Sequence, residues 1–147
     1  MHAPLAPTTR LPIGSDADLA WVRQHVRRAA ADLGFRLVQQ TKLVTAVSEL
    51  ARNTLVHGGG GSMAMTILEE GGRRGLRMSF VDAGPGIRDI DQAMTDGYTT
   101  GGGLGLGLSG AKRLVQEFSI DSSPGKGTTV TITDWVTGLP GPRTGAP

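Results

Sequence analysis

The chain is organised around residues 81–110, which read VDAGPGIRDIDQAMTDGYTTGGGLGLGLSG. This segment follows an alternating run that predicts a strand, with Asp82 at the carboxyl end of that strand. It closes with the glycine-rich run 101–107, which leads into a helical pattern. Glycine lets backbone pass close to a ligand, and consecutive N–H groups before a helix bind anions. The segment therefore predicts a nucleotide pocket with an acid at one end and a phosphate cradle at the other.

Length and composition favour a single small domain. The chain has 147 residues, a formal net charge of +2 and no cysteine, which excludes disulfides and thiolate metal sites. Its basic residues are scattered and only 4% of its residues are aromatic, so neither a nucleic-acid stripe nor a stacking platform is predicted. We find no signal peptide and no apolar run long enough for a membrane span. These features favour a cytoplasmic protein that binds neither nucleic acid nor membrane.

Periodicity predicts the order of the secondary structure elements. We expect a flexible N-terminus over residues 1–10, a folded domain over 11–136 and a disordered tail over 137–147. The first half of the domain is predicted to contain an edge strand 11–13, a helix from an N-cap at Ser15 (with Asp18 in a capping box) to Gly34, and a helix 36–57. Strands 62–68 and 76–82 follow, on either side of a hairpin turn 71–75. The last elements are a helical turn 90–94, a helix 108–118 and a final hairpin of strands 118–122 and 128–135. This order predicts the α/β class: a two-layer sandwich in which about three helices cover one face of a mixed sheet.

Glu49 and Asn53 lie four residues apart on the predicted second helix and therefore share a face. They could be a polar surface pair. The helix, however, runs directly into a glycine stretch. A carboxamide oxygen suits Mg²⁺, and a carboxylate one turn earlier could orient or deprotonate an attacking hydroxyl.

Asp82 could recognise a base edge by accepting a hydrogen bond from an exocyclic amine. The alternative is an Asx-type turn before the Gly84–Gly86 segment. Both glycines would permit the backbone to pass under a planar ring.

The run from Gly101 to Gly107 could be a flexible linker, but its interleaved leucines indicate that it folds onto a core. Residues 105–110 also formally match the G-x-G-x-x-G pattern of dinucleotide-binding proteins, and this alternative, dehydrogenase-like interpretation would predict NAD binding without Mg²⁺ dependence. That pattern should follow a strand directly, and here it does not. Lys126-Gly127-Thr128 could equally be a plain hairpin turn.

Four pieces in one order carry a family resemblance: Glu49-x-x-x-Asn53, Asp82-x-Gly84-x-Gly86, Gly101-x-Gly103-Leu104-Gly105-Leu106 and Gly125-x-Gly127-Thr128. Together they resemble the GHKL (Bergerat-fold) ATPases, which include gyrase, Hsp90, histidine kinases and MutL. Within that superfamily the chain is similar to the small stand-alone serine kinases of bacterial partner-switching pathways, with the anti-sigma-factor kinases next.

The resemblance implies roles for these residues. Asn53 would hold Mg²⁺ on the phosphates of ATP, and Glu49 would orient or deprotonate the substrate hydroxyl. Asp82 would bind the adenine amine, supported by Thr128. The remaining implied ATP-binding residues are Gly84, Gly86, Gly101, Gly103, Leu104, Gly105, Leu106 and Gly107, of which Gly103, Gly105 and Gly107 would turn amides toward the phosphates.

The resemblance leaves open which cation neutralises the γ-phosphate. Arg88 is the cation of the predicted lid over residues 87–100, and Lys112, Arg113 or a residue of the partner could also serve.

The resemblance implies a protein-serine kinase that phosphorylates a STAS-domain antagonist protein and signals to a PP2C-type phosphatase. An alternative is an anti-sigma factor that sequesters a sigma subunit, with nucleotide-dependent partner exchange. A nucleotide-sensing scaffold is a third reading, although Glu49 argues against it because a scaffold needs no base.

Overall fold

The computed structural model describes residues 8–95 and 107–137. Within these ranges the chain forms five strands and four helices, and the two longest helices come first after the opening strand. In chain order they are β1 (Thr8–Ile13), α1 (Asp16–Leu33), α2 (Leu37–Val56), β2 (Gly61–Glu70), β3 (Arg73–Asp82), α3 (Ile90–Ala93), α4 (Gly107–Arg113), β4 (Glu117–Ser122) and β5 (Thr128–Trp135).

The sheet has the strand order β1-β2-β3-β5-β4, and each neighbouring pair of these strands is antiparallel. The predicted mixed sheet is therefore wrong for the described residues. Strand direction depends on which strands pair, and local periodicity carries no information about it. Strand β5 lies between β3 and β4. After α3 and α4 the chain therefore forms the edge strand β4 first and then returns as β5 beside β3.

The helices pack on one face of the sheet, which confirms the predicted two-layer sandwich. The predicted apolar stripe of α2 is buried, and Leu43, Val47 and Leu50 are each no more than 1% exposed. They meet the sheet residues Met78 and Ile132, which are fully buried in the same core. The apolar spacing of three and four residues on α2 and the alternation on the strands bury one face of each layer.

The first helix begins and ends where the sequence predicts. The Ser15 hydroxyl accepts a hydrogen bond from the Asp18 N–H at 3.2 Å, and the Asp18 carboxylate accepts one from the Gly14 N–H at 2.8 Å. Gly34 follows the last residue of α1 in a left-handed conformation. These contacts satisfy backbone groups that have no partner inside the helix.

Three element boundaries differ from the prediction by three residues or more. Strand β1 begins at Thr8, three residues early, so Thr8 to Arg10 pair with β2 and do not belong to the expected flexible N-terminus. The turn between β2 and β3 contains only Gly71 and Gly72, because the residues on either side continue the strand pairing. Helix α4 ends at Arg113, and the apolar residues expected on its last turn lead into β4 instead.

The fold brings three chain segments together at one end of the sheet. Helix α2 ends at Val56, and the chain returns through a short glycine turn to begin β2 at Gly61. In the sheet register, Gly61 lies opposite Asp82 at the end of β3, and Asp82 lies opposite Thr128 at the start of β5. The carboxyl end of α2 and the pocket-forming ends of β3 and β5 therefore meet.

Candidate active site

A cavity of about 470 Å³ opens at this end of the molecule. Its walls come from the last turns of α2, the ends of β3 and β5, the segment after β3 and the first turn of α4. The residues that line it are Glu49, Leu50, Arg52, Asn53, Thr54, Val56, His57, Gly58, Phe80, Asp82, Pro85, Gly86, Ile87, Arg88, Asp89, Gln92, Ala93, Gly107, Leu108, Thr128 and Val130. Six of the residues predicted from the sequence, scattered over 80 positions of the chain, lie in this one cavity: Glu49, Asn53, Asp82, Gly86, Gly107 and Thr128.

Helix α2 supplies Glu49 and Asn53, one turn apart and each half-buried. The backbone carbonyl of Asn53 accepts hydrogen bonds from the backbone N–H groups of His57 and Gly58, at 3.0 and 3.1 Å, where the helix ends. The next residue, Thr54, is buried and its hydroxyl donates to the Leu50 carbonyl at 2.9 Å. These contacts fix the last turn of α2, so the polar pair is held in place at the cavity wall.

Asp82 is positioned by two glycines. Its Oδ1 accepts a hydrogen bond from the Gly84 N–H at 2.9 Å, which orients the carboxylate plane. The other carboxylate oxygen lies against Gly58, and a Cβ added at Gly58 would overlap the carboxyl carbon of Asp82. Gly84 is not among the residues that line the cavity, so its contribution to the site is the hydrogen bond to Asp82.

The segment after Asp82 is attached to the β4–β5 hairpin. The Gly125 N–H donates to the Pro85 carbonyl at 2.7 Å, and the Ile87 N–H donates to the Ser122 hydroxyl at 2.8 Å. Gly86, between them, has a φ of 77°, and a Cβ there would overlap the carbonyl oxygen of Ser123. The β4–β5 hairpin therefore fixes the position of the turn at residues 84–86, which the sequence predicts to pass under a ring.

The glycine-rich run reaches the described part of the chain at its last residue. Gly107 begins α4 and lines the cavity, whereas Gly101, Gly103, Leu104, Gly105 and Leu106 lie outside the described residues, as do the last residues of the predicted lid. The dinucleotide interpretation requires a parallel βαβ unit around its glycines. Every strand pair in the described sheet is antiparallel, so that interpretation is wrong.

Two arginines line the cavity, Arg52 on α2 and Arg88 on the segment after β3. Lys112 and Arg113, the other cations considered from the sequence, are not among its lining residues. The described residues contain no cluster of three or more His, Cys, Asp or Glu side chains that could hold a metal by themselves. A cation bound here would therefore need ligand atoms from a bound anion in addition to those of the protein.

Sequence reasoning missed three contributors to the site. Arg52 is not recognisable because it looks like a solvated residue of an amphipathic helix. Gly58 looks like a helix terminator, and only its contact with Asp82 reveals its second role. Ser122 looks like an ordinary residue of a hairpin strand; its position directly opposite Thr128 in the register is the signal that could have found it.

Residues 38–135 match the family described as histidine kinase-, DNA gyrase B- and HSP90-like ATPases. The match covers most of the chain, and the chain belongs to this family. The predicted GHKL membership and two-layer fold are confirmed.

Particular relatives narrow the comparison. The chain is 43% identical over 124 residues to the serine/threonine-protein kinase RsbT of Bacillus subtilis, covering 84% of this chain and 93% of that protein. It is 30% identical over 122 residues to the anti-sigma F factor of the same organism, covering 78% of this chain and 82% of that protein. The predicted enzyme class, a serine/threonine-protein kinase, agrees with the name of the first relative.

A solved structure of the RsbU and RsbW domains of Rv1364c from Mycobacterium tuberculosis shares the fold. Its TM-score is 0.60 at 23% identity, and the match covers 87% of this chain and 32% of that chain. Among the described residues, no helix is long and apolar enough to cross a membrane.

Proposed function

We propose that this protein is an ATP- and Mg²⁺-dependent protein-serine kinase of a bacterial partner-switching module, which phosphorylates a STAS-domain antagonist protein. One observation carries the proposal: the cavity gathers a carboxylate and a carboxamide from α2, an acid from β3 and the first residue of α4 into one space. Membership of an ATPase family and the 43% identity to a serine/threonine-protein kinase support it.

The adenine of ATP fits the end of the cavity formed by β3 and β5. Asp82 would accept a hydrogen bond from the exocyclic amine, with Thr128 beside it and Gly86 under the ring. The phosphates would lie toward Gly107, the first residue of α4, and the glycine-rich run 101–107 stays the phosphate cradle predicted from the sequence. Gly84 contributes by holding the Asp82 carboxylate.

Mg²⁺ would be held at Asn53, in the part of the cavity wall formed by α2. The residues present match its preference for hard oxygen ligands, since Asn53 offers a carboxamide oxygen and the described residues offer no competing cluster of metal ligands. When bound, the ion would neutralise charge on the phosphates. Arg52 and Arg88 line the same cavity and would add positive charge near the γ-phosphate.

Glu49 would accept the proton of the substrate hydroxyl. It lies one turn before Asn53 on the same face of α2 and lines the same cavity, so it would lie near the γ-phosphate of an ATP whose Mg²⁺ is held by Asn53. The serine Oγ–P bond forms, the bond from the γ-phosphorus to the bridging oxygen of ADP breaks, and the hydroxyl proton passes to the Glu49 carboxylate. Most of the rate enhancement then comes from positioning and charge stabilisation.

Transfer of label from γ-labelled ATP to the STAS-domain proteins of the same cell tests this proposal. We expect Glu49→Gln to bind ATP normally and to lose about 10²- to 10⁴-fold in transfer rate, the usual contribution of a general base. Glu69→Gln is the matched control, because Glu69 is an exposed carboxylate that pairs with Arg74 at 3.7 Å, in the β2–β3 hairpin. Full transfer by Glu49→Gln, or none by the wild type in the presence of every STAS protein, would contradict the proposal.

A second candidate is an anti-sigma factor that sequesters a sigma subunit. The identities of 28 to 30% to anti-sigma F factors favour it. Affinity purification of the chain would separate the candidates, because a sequestering protein should retain a sigma factor in stoichiometric amount. Signalling to a PP2C-type phosphatase and a cytoplasmic location stay predictions from the sequence.

A further inference from the structure

The hydroxyl group of Ser122 connects three parts of the base-binding end of the cavity. We propose that Ser122 is a positioning residue that directs the Thr128 hydroxyl and thereby makes the site prefer a 6-aminopurine to a 6-oxopurine. The inference rests on the proposed function, because it assumes that the base lies against Asp82 and Thr128.

Three polar atoms surround the Ser122 Oγ. The Ile87 N–H donates to it at 2.8 Å, the Gly127 carbonyl oxygen lies at 3.0 Å and the Thr128 Oγ1 lies at 2.7 Å. A serine hydroxyl has one hydrogen to donate and two lone pairs that accept. The Ile87 N–H occupies one lone pair. A carbonyl can only accept, so Ser122 is the donor in its hydrogen bond with Gly127, and this bond uses its one hydrogen.

This arrangement decides the polarity of the contact between the two hydroxyls. Because the hydrogen of Ser122 is already used, the hydrogen between Ser122 and Thr128 must come from Thr128 and fill the second lone pair of Ser122. The Thr128 oxygen can then only accept further hydrogen bonds. Ser122 and Gly127 fix this direction from behind the cavity wall, since neither is among its lining residues, and the amide of the lining residue Ile87 fills the first lone pair of Ser122.

Thr128 and Asp82 are directly opposite each other in the β3–β5 register, so their side chains project from the same face of the sheet. Both line the cavity. A carboxylate accepts only, and the Thr128 hydroxyl as directed by Ser122 also accepts only. Two adjacent acceptors suit an exocyclic amine, which has two hydrogens. A carbonyl oxygen at the same position of the ring would face lone pairs on both groups.

The dissociation constants of ATP and ITP, measured by titration calorimetry in Mg²⁺, test the inference. ITP carries a 6-oxo group in place of the amine and a hydrogen on N1, and it has no 2-amino group, so the comparison between variants and wild type with the same two nucleotides isolates the change at Ser122. We expect the wild type to prefer ATP, and Ser122→Ala to narrow the ATP-to-ITP ratio about 3- to 10-fold, the effect of about one hydrogen bond. In that variant the Thr128 hydroxyl can rotate and donate to the 6-oxo group.

Two controls separate this effect from a change in folding. Ser123→Ala alters the adjacent exposed hydroxyl and should leave the ratio unchanged, and Ser122→Thr keeps the hydroxyl and should keep the wild-type ratio. The ratio compares two ligands on the same protein, so a smaller folded fraction does not alter it. If Ser122→Ala does not fold, Thr128→Val removes the acceptor itself and should also narrow the ratio, but by less, because valine cannot donate to the 6-oxo group.

A folded Ser122→Ala that retains the wild-type ratio would overturn the inference, as would a folded Thr128→Val that retains it. A wild type that binds neither nucleotide would overturn the proposed function itself. The two failures are therefore distinguishable.

Discussion

Gly58 lies so close to Asp82 that a Cβ added at Gly58 would come within 2.3 Å of the Asp82 carboxyl carbon, so the residue after α2 packs directly on the side chain that ends β3. A Cβ at Gly58 would also lie 2.5 Å from the Asp82 Oδ2. This contact couples the helix that carries Glu49 and Asn53 to the strand that carries the proposed base-binding acid. The spacing between the two ends of the proposed ATP site therefore depends on a missing methyl group.

Gly58→Ala should displace the Asp82 carboxylate and weaken ATP binding. A hydrogen bond to a charged group contributes about 1.5–3 kcal/mol, which corresponds to about 10- to 100-fold in the dissociation constant. Titration calorimetry measures this change, and circular dichroism shows whether the variant is folded.

Gly59→Ala is the control for this variant. Gly59 has a φ of 77° and nothing within 4 Å of an added Cβ, so alanine there costs about 1–2 kcal/mol of backbone strain but leaves Asp82 undisturbed. Equal ATP affinities for the Gly58→Ala and wild-type proteins would show that the Asp82 carboxylate does not bind the base.

Asn53→Ala should remove the protein's ligand to Mg²⁺. We expect the wild-type protein to bind ATP more tightly in Mg²⁺ than in EDTA. In the variant, the ratio of the two dissociation constants should shrink at least about 10-fold, which is the lower end of the effect of mutating residues around a metal. ATP titrations in both buffers measure it.

Gln24→Ala, which removes an exposed carboxamide from α1, should keep the full difference. An undiminished Mg²⁺ effect in Asn53→Ala would exclude this side chain as a ligand.

Asp134 predicts a pH dependence of stability. It is 2% exposed, and burial raises the pKa of its carboxyl group. Hydrogen bonds from the Gln116 backbone and the Gln39 side chain and the charge of Lys42 lower this pKa, whereas the charge of Glu117 raises it; burial is the largest effect. The folded state therefore binds the proton more tightly than the unfolded state, in which the pKa is about 3.9.

The sign of the effect follows from this difference. Below the unfolded pKa both states are protonated and Asp134 contributes no pH dependence. As the pH rises from there through the raised folded pKa, the free energy of unfolding falls by about 1.4 kcal/mol for each unit of difference. Asp134→Asn keeps an oxygen for the Gln116 N–H, at 2.7 Å in the wild type, and cannot ionise.

We therefore expect Asp134→Asn to gain stability relative to the wild type between about pH 4 and pH 7. Urea unfolding at both values measures the gain. Asp121→Asn, an exposed carboxylate on β4, should show little change. A constant difference between Asp134→Asn and the wild type at the two pH values would contradict the expected role of burial.

The sequence predicted the bounds of an element correctly where a single local signal, such as a helix cap or a glycine turn, sets its end. Strand β5 has the predicted bounds, because residues 129–133 alternate between threonine and apolar side chains and a glycine turn precedes the strand. Helix α1 has its predicted cap residues. The predicted turn at residues 71–75 was too long, because Arg73 and Arg74 look like turn residues but form ion pairs with Glu70 and Glu69 across the hairpin, at 3.6 and 3.7 Å.

Gly75 shows how a tertiary contact overrides a turn signal. It lies beneath the ring of Trp135 on the neighbouring strand, where an added Cβ would come within 2.7 Å of that ring. The Arg73 guanidinium also stacks over this ring, with its central carbon 4.0 Å from the ring centroid. The glycine is in a strand because its neighbour requires the space, a reason that the sequence around it does not contain.

The sequence by itself determined the family, the two layers and the residues Glu49, Asn53, Asp82, Gly86, Gly107 and Thr128 that line the cavity. It could do so because capping, periodicity and glycine spacing act over a few residues, and because four such motifs occur in one order. The tertiary structure alone decided the antiparallel direction of the sheet, the contact of Gly58 with Asp82 and the hydroxyl pair of Ser122 and Thr128. Those features depend on which segments pack side by side, and contacts between distant residues leave no periodic trace in either segment.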